Sequence, residues 1–295
     1  MRSPVTQYSL VRPRSLEHAL GALHESLGKG RLVPLAGGTD VFVYLNAGTP
    51  PGTRYLDLHG LRELRGVRAS ARGVSIGALT TFRELRDHAL LRRRLPSLTA
   101  AAAEVGAWQI QNRATIAGNI ANASPAGDSL PVLLAHEAIV HVRSVRGARE
   151  IRFRDLYTGY RTLAVEPDEL IVAVGIPFAP AGAKVAFRKV GTRRAQSISK
   201  VVFCGVLARD RGGRVSHARL AWGSVAPITL RALAAEAALA GAAPSATAAA
   251  AAREALGRDL APIDDIRSTR EYRLAVASNV LAQFLRGAHR DYAGG

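Results

Sequence analysis

Two short glycine-bearing runs, Ala36-Gly37-Gly38-Thr39-Asp40 and Thr115-Ile116-Ala117-Gly118-Asn119, restrict what this chain can fold into more than any other feature. Each follows an apolar stretch and sets flexible backbone beside small hydrogen-bonding side chains. Glycine lets the main chain approach a bound group with no Cβ in the way, and consecutive N–H groups can converge on phosphate oxygens as an anion-binding nest. A pair of such turns suits a diphosphate, with Thr39 and Asn119 as further donors. Val33, Pro34 and Leu35 read as a short buried strand feeding the first turn, and the run Val41 to Leu45 anchors its far end. One Gly-Gly-Thr turn alone is more often a plain structural turn; two are more specific. The second lies within Gln109 to Asp128, a stretch too rich in small and amide residues for a packed core, and reads as a binding loop.

Around these runs the apolar spacing is that of an α+β protein. Ser15 precedes Leu16, Ala19, Leu20 and Leu23 as the N-cap of a helix. Strands are expected at Arg31 to Leu35, Arg54 to Leu58, Val74 to Ala78, Ile139 to Val142 and Leu170 to Ile176. Thr81-Phe82-Arg83-Glu84 has capping-box spacing, and Leu91 to Val105 reads as helix. Pro177, Pro180 and Gly182 mark a boundary. Beyond it, strands at Val185 to Val190, Val201 to Ala208 and His217 to Trp222 suggest a small antiparallel sheet. Helices at Leu230 to Ala240, Ala246 to Leu256 and Arg270 to Leu285 follow.

Several function classes lose support on composition. Cys204 is the only cysteine and sits in an apolar strand, so no disulfide, zinc or iron–sulfur site can be built from thiols here, and the eight histidines show no metal-ligand spacing. No metal site is nominated. Neither GxGxxG nor GxxxxGK[ST] occurs, which leaves a Rossmann or P-loop reading without a motif. The formal charge of +17 raises nucleic-acid binding, but arginine outnumbers lysine by 36 to four, is dispersed along the chain and is not interleaved with aromatics. A solvated face meeting acidic partner subunits explains the charge as well. Met1 to Leu20 has no unbroken apolar segment and the Ala232 to Ala255 stretch is interrupted by charge and proline, so a cytoplasmic protein without a membrane span is expected.

Beyond AGGTD, the chain carries IGALTTFREL at Ile76 to Leu85, QIQNRATIAGNIANASPAGD at Gln109 to Asp128 and PDELI at Pro167 to Ile171. AFRKVGTRRAQSISKVV follows from Ala186 to Val202 and STREYRLAVASNVL from Ser268 to Leu281. In these runs and their order it resembles the FAD-binding (medium) subunits of molybdenum-containing hydroxylases, the xanthine dehydrogenase and carbon monoxide dehydrogenase group. ASPAGD and SISK look closer to the xanthine dehydrogenases. The resemblance implies a two-lobed α+β FAD-binding domain of the vanillyl-alcohol-oxidase (PCMH) type over residues 1–178, with lobes at 1–60 and 61–178. A small C-terminal α+β domain is implied over 183–288. It implies an electron-transfer subunit of a molybdopterin-dependent oxidoreductase, taking electrons from a [2Fe–2S] partner subunit and passing them via FAD to NAD+ or another acceptor. The complex would be a heterotrimer whose large subunit binds molybdopterin and chooses the substrate, purines being the first expectation. No acid–base or nucleophilic residue is nominated, because the flavin carries the reaction. A stand-alone FAD-dependent oxidoreductase is the alternative, and a basic nucleic-acid-binding protein the distant one.

Residue by residue, the resemblance implies that Val33, Pro34, Leu35, Ala36, Gly37, Gly38, Thr39 and Asp40 take the diphosphate. Thr115, Ile116, Ala117, Gly118 and Asn119 would lie beside the rest of the cofactor. Asp128 would accept hydrogen bonds from adenosine or ribityl hydroxyls; it equally suits the N-cap of a helix over Leu130 to Leu134. Ile171 matches an apolar position beside the isoalloxazine, though a core strand asks for the same residue type. Arg188 aligns with a family cation and Lys189 is its neighbour; on a strand only one of them can face the flavin. Val105 replaces the aromatic that some relatives place over the ring, leaving Trp108 or Tyr160 as substitutes if there is a stacking partner.

Overall fold

The computed structural model describes residues 7–193 and 196–288, so Met1 to Thr6 of the expected first domain lie outside the described residues. Three strands, β1 (Ser9–Val11), β2 (Leu32–Leu35) and β3 (Arg54–Asp57), form a parallel sheet in the order β1-β3-β2. Parallel neighbours need a crossover, and the two are supplied by α1 (Leu16–Glu25) and α2 (Thr39–Asn46). The Ser15 hydroxyl caps α1 by accepting from His18 N–H at 3.2 Å, and Leu16, Ala19, Leu20 and Leu23 bury its apolar face.

The second layer is a five-stranded antiparallel sheet of β4 (Val67–Ala69), β5 (Gly73–Gly77), β6 (Ile139–Ser144), β7 (Gly147–Arg152) and β10 (Leu170–Pro177), ordered β4-β5-β10-β6-β7. Between β7 and β10 lies a small hairpin, β8 (Tyr157–Gly159) and β9 (Thr162–Leu163). Between β5 and β6 the chain runs through α3 (Phe82–Asp87), α4 (Ala89–Arg94), α5 (Pro96–Glu104), α6 (Trp108–Gln111), α7 (Ile116–Asn122) and α8 (Leu130–Ala135). The capping box at Thr81 forms, Thr81 Oγ1 accepting from Glu84 N–H at 3.2 Å while the Glu84 carboxylate accepts from Thr81 N–H at 2.7 Å. The helix expected over Leu91 to Val105 is broken at Leu95, because Pro96 opens α5 and forces its predecessor out of the helical region.

The C-terminal sheet is antiparallel, β11 (Lys184–Val190), β12 (Val201–Arg209), β13 (Val215–Gly223) and β14 (Leu230–Arg231) in sequential order, followed by α9 (Leu233–Leu239), α10 (Ala246–Asp259) and α11 (Arg270–Ala288). The helix expected from Leu230 therefore starts later, its first residues pairing with Trp222 and Ala221 as β14. Strand β12 is buried from Val201 to Ala208 because both faces of the sheet are covered. Val201, Phe203 and Leu207 face the core shared with the C-terminal helices, while Cys204 and Val206 face the core built around α3–α8. No helix among the described residues is long and apolar enough to cross a membrane.

Candidate functional site

The first glycine run leaves β2 and enters α2. Leu32 and Val33 are buried, Leu35 is half-buried and Pro34 is exposed, so the expectation of a buried strand holds for only part of it. β2 is an edge strand, where a residue lacking an N–H costs no ladder bond. A Cβ on Gly37 would lie 2.0 Å from the Arg113 carbonyl oxygen, and Gly38 caps α2 in the left-handed region at φ +78°. Both positions therefore require glycine, for close approach and for backbone conformation respectively. The N–H groups from Gly37 to Val41 have no hydrogen-bond partner among the described residues, so a row of donors at a helix start faces outward.

The second run behaves otherwise. Its backbone is not the loop the composition suggested: Gln109 and its neighbours form α6, and Ile116 to Asn122 form α7. Thr115 is the N-cap, its hydroxyl accepting from Gly118 N–H at 3.1 Å, and Asn119 N–H donates to Thr115 O at 3.0 Å. Ile116 and Ala117 N–H donate to Thr80 and Ala78 carbonyls. These amides are thus consumed internally, and the run presents side chains instead. Asn119 Oδ1 accepts from Ser129 Oγ at 2.7 Å, which aims its amide Nδ2 away from that contact.

The structure joins the two runs through residues the sequence did not single out as a set. Asn122 Nδ2 donates to Asp40 Oδ1 at 3.2 Å, Tyr44 Oη donates to Asn122 Oδ1 at 3.0 Å, and Arg161 at the tip of the β8–β9 hairpin donates to Tyr44 Oη. The amide-rich run around Asn122 carried some signal for this. Arg161 carried none, since a hairpin far along the chain brings it there.

Asp128 does not cap a helix. Ser129 occupies the N-cap of α8, and Asp128, 7% exposed, accepts from Lys189 Nζ at 2.7 Å. Lys189 also donates to Glu104 O at 2.9 Å, and its side chain is only 4% exposed. Burial pushes the Asp128 carboxyl up to about 6, with the Lys189 ammonium pulling the other way. Its Oδ1 is buried with no hydrogen-bond partner among the described residues, an unfilled acceptor that suits a cofactor hydroxyl. Arg188, the residue favoured by alignment, is exposed on the opposite side of β11, as strand alternation requires. The structure therefore brings Lys189 to another candidate residue and leaves Arg188 outside.

Ile171 is buried in the core of the second layer beside its cross-strand partner Val142. Val105 is also in that core. Trp108 is exposed on one side, but the Arg86 guanidinium lies 4.1 Å from its ring centroid. Tyr160 is exposed and adjoins Arg161, next to the Tyr44 network.

Donors on the first glycine loop and a buried unfilled carboxylate oxygen fit the diphosphate and hydroxyls of a dinucleotide. Comparison with known proteins points to one kind. Residues 6–179 match a family described as the FAD binding domain in molybdopterin dehydrogenase, and residues 186–288 match the CO dehydrogenase flavoprotein C-terminal domain. The chain is 35% identical over 242 residues to a putative xanthine dehydrogenase FAD-binding subunit of Escherichia coli K12, covering 81% of this chain and 82% of that protein. It is 32% identical over 238 residues to a nicotinate dehydrogenase FAD-subunit of Eubacterium barkeri, covering 80% of each. Its fold superposes on a chain of carbon monoxide dehydrogenase from Hydrogenophaga pseudoflava with a TM-score of 0.91 at 30% identity, covering 98% of both.

Proposed function

The chain belongs to the FAD-binding subunit family of the molybdenum hydroxylases, the xanthine and carbon monoxide dehydrogenase group, and on that premise we propose that it holds FAD between its first glycine loop and the Asp128–Lys189 pair. When bound, FAD would supply the redox chemistry of electron transfer between a [2Fe–2S] partner subunit and NAD+ or another acceptor. This chain's own residues bind and orient. The N–H groups of Gly37 to Val41 take the diphosphate, with the Thr39 hydroxyl beside them. The Asn119 amide and Asp128 Oδ1 meet cofactor hydroxyls, and Lys189 keeps Asp128 ionised and fixed. Tyr44, Asn122 and Arg161 tie the glycine loop to the second run at its mouth.

The second partner in this reading is a large molybdopterin-binding subunit, which carries the hydroxylation and selects its substrate. Similarity to a xanthine dehydrogenase subunit favours a purine; similarity to a nicotinate dehydrogenase subunit at nearly the same identity keeps other N-heterocycles in view.

The observation that carries the proposal is the outward row of unpaired N–H groups on a loop that tolerates no side chain at Gly37. It is tested by the visible absorbance of the purified full chain before and after denaturation, beside a Gly37→Ala variant. Flavin bands in stoichiometric amount, lost from a folded Gly37→Ala protein, are expected. A folded wild-type chain that neither carries FAD nor takes it up when supplied would overturn the proposal.

A further inference from the structure

The run STREYRLAVASNVL places Arg273 in the early part of α11, facing inward, with its side chain 5% exposed. Nothing in helix formation calls for a cation there, and burying a guanidinium is costly unless its N–H groups meet acceptors. The acceptors it meets are not those of its own helix. Nη1 donates to Ser224 O at 2.7 Å and to Lys200 O at 3.0 Å, and Nη2 donates to Asp265 Oδ1 at 2.8 Å.

Ser224 and Lys200 belong to the turns at one end of β13 and β12, and those turns grip the segment that delivers Asp128. Ser224 holds a left-handed backbone at φ +65°, a conformation serine adopts only when its surroundings enforce it. Its N–H donates to Pro125 O at 2.8 Å. The hydroxyls of Ser199 and Ser224 meet at 2.9 Å, and Ser199 Oγ donates onward to Ala126 O at 3.2 Å. A Cβ on Gly223 would lie 3.0 Å from Pro125 O, so the contact between turn and segment is tight as well as polar.

We infer that Arg273 is a positioning residue for the cofactor: it clamps the Ser199 and Ser224 turns of the C-terminal sheet, and these fix the Pro125–Asp128 segment whose carboxylate meets the cofactor hydroxyls. The inference rests on the FAD reading given above. Arg273 touches no cofactor atom; it acts through the carbonyls it holds.

The test is a titration of FAD into the full-length apo chain, following flavin fluorescence for the dissociation constant and visible circular dichroism for the flavin's surroundings. Arg273→Lys and Ser199→Ala are compared with Ala252→Gly. Ala252 is fully buried in the C-terminal core and makes none of these hydrogen bonds, so its loss lowers stability alone. The expected result is a dissociation constant raised about tenfold or more in the first two, the scale of losing positioning hydrogen bonds, with an altered flavin dichroism. Ala252→Gly should keep the wild-type values despite a lower Tm. Wild-type affinity and dichroism in Arg273→Lys and Ser199→Ala would overturn the inference and leave the FAD reading standing. So would losses in all three variants that follow Tm, since Arg273 would then be structural only. A wild-type chain that takes up no FAD overturns the functional reading itself, and this inference with it.

Discussion

Lys189 commits a charge to the interior, and the geometry around it says what that charge does. With Asp128 Oδ2 at 2.7 Å and the Glu104 carbonyl at 2.9 Å, the ammonium is paired and solvated by protein alone. Asp128 gains less, because burial raises its carboxyl to about 6 from 3.8 even with the cation beside it. A folded pKa above the unfolded one means that the folded chain binds the proton more tightly. The contribution of Asp128 to stability is therefore fully present below its unfolded pKa and is lost as pH rises through about 6. Replacing Lys189 by Met strands the carboxylate, and at neutral pH the variant should lose about 3–5 kcal/mol. Protonating Asp128 relieves that penalty, so urea unfolding of wild type and Lys189→Met should show a gap that narrows on acidification to around pH 5. A gap independent of pH would mean that the pair is not buried as described.

Helix α2 is the element that local patterning describes least well. Val41-Phe42-Val43-Tyr44-Leu45 is β-branched and aromatic, a composition that favours strand, yet it folds as a helix because β2 and β3 are parallel and need a crossover between them. The same helix buries none of its residues: Phe42 is 51% and Val43 62% exposed. Its apolar run therefore does not anchor the glycine loop by burial, contrary to what the sequence suggested; the Asp40–Asn122 and Tyr44–Asn122 hydrogen bonds do. Val43→Lys should accordingly change the unfolding free energy of the full chain by no more than about 0.5 kcal/mol. A larger loss in thermal or urea melts would place Val43 in a core. Elements with their own start and stop chemistry or a long apolar run were legible: the Ser15 cap, the Thr81 capping box and the three long strands of the C-terminal sheet. Those decided by distant partners were not. The Thr80 and Ala78 carbonyls turn the second glycine run into a helix start, and Lys189 takes Asp128 away from a capping role. In the candidate site the residue types could be read from the sequence, while the pairing of Lys189 with Asp128 and the arrival of Arg161 beside Tyr44 depend on contacts across long separations.

On the scale of the molecule, the C-terminal sheet joins two cores rather than closing one. Its far face packs on α9 and α11, with α10 laid against those two helices, and its near face on α5 and α8, and hydrogen bonds from Ser199, Ser224 and Lys189 cross to the segment ending at Asp128. Cys204 lies on the near face, wholly buried, its thiol pushed up to about 12 by that burial. The chain thus carries one chemical tag, hidden where its halves meet. A thiol reagent cannot reach it through the surface, so each labelling event records a moment at which the sheet lifts or the protein unfolds. Native protein should label far more slowly than urea-unfolded protein, and more slowly still with FAD present, since a ligand that binds only the folded chain disfavours its opening. Labelling at the rate of a free thiol in the native chain would show that the seam is open. Without any engineered probe, the single thiol becomes a clock for the breathing of the whole subunit.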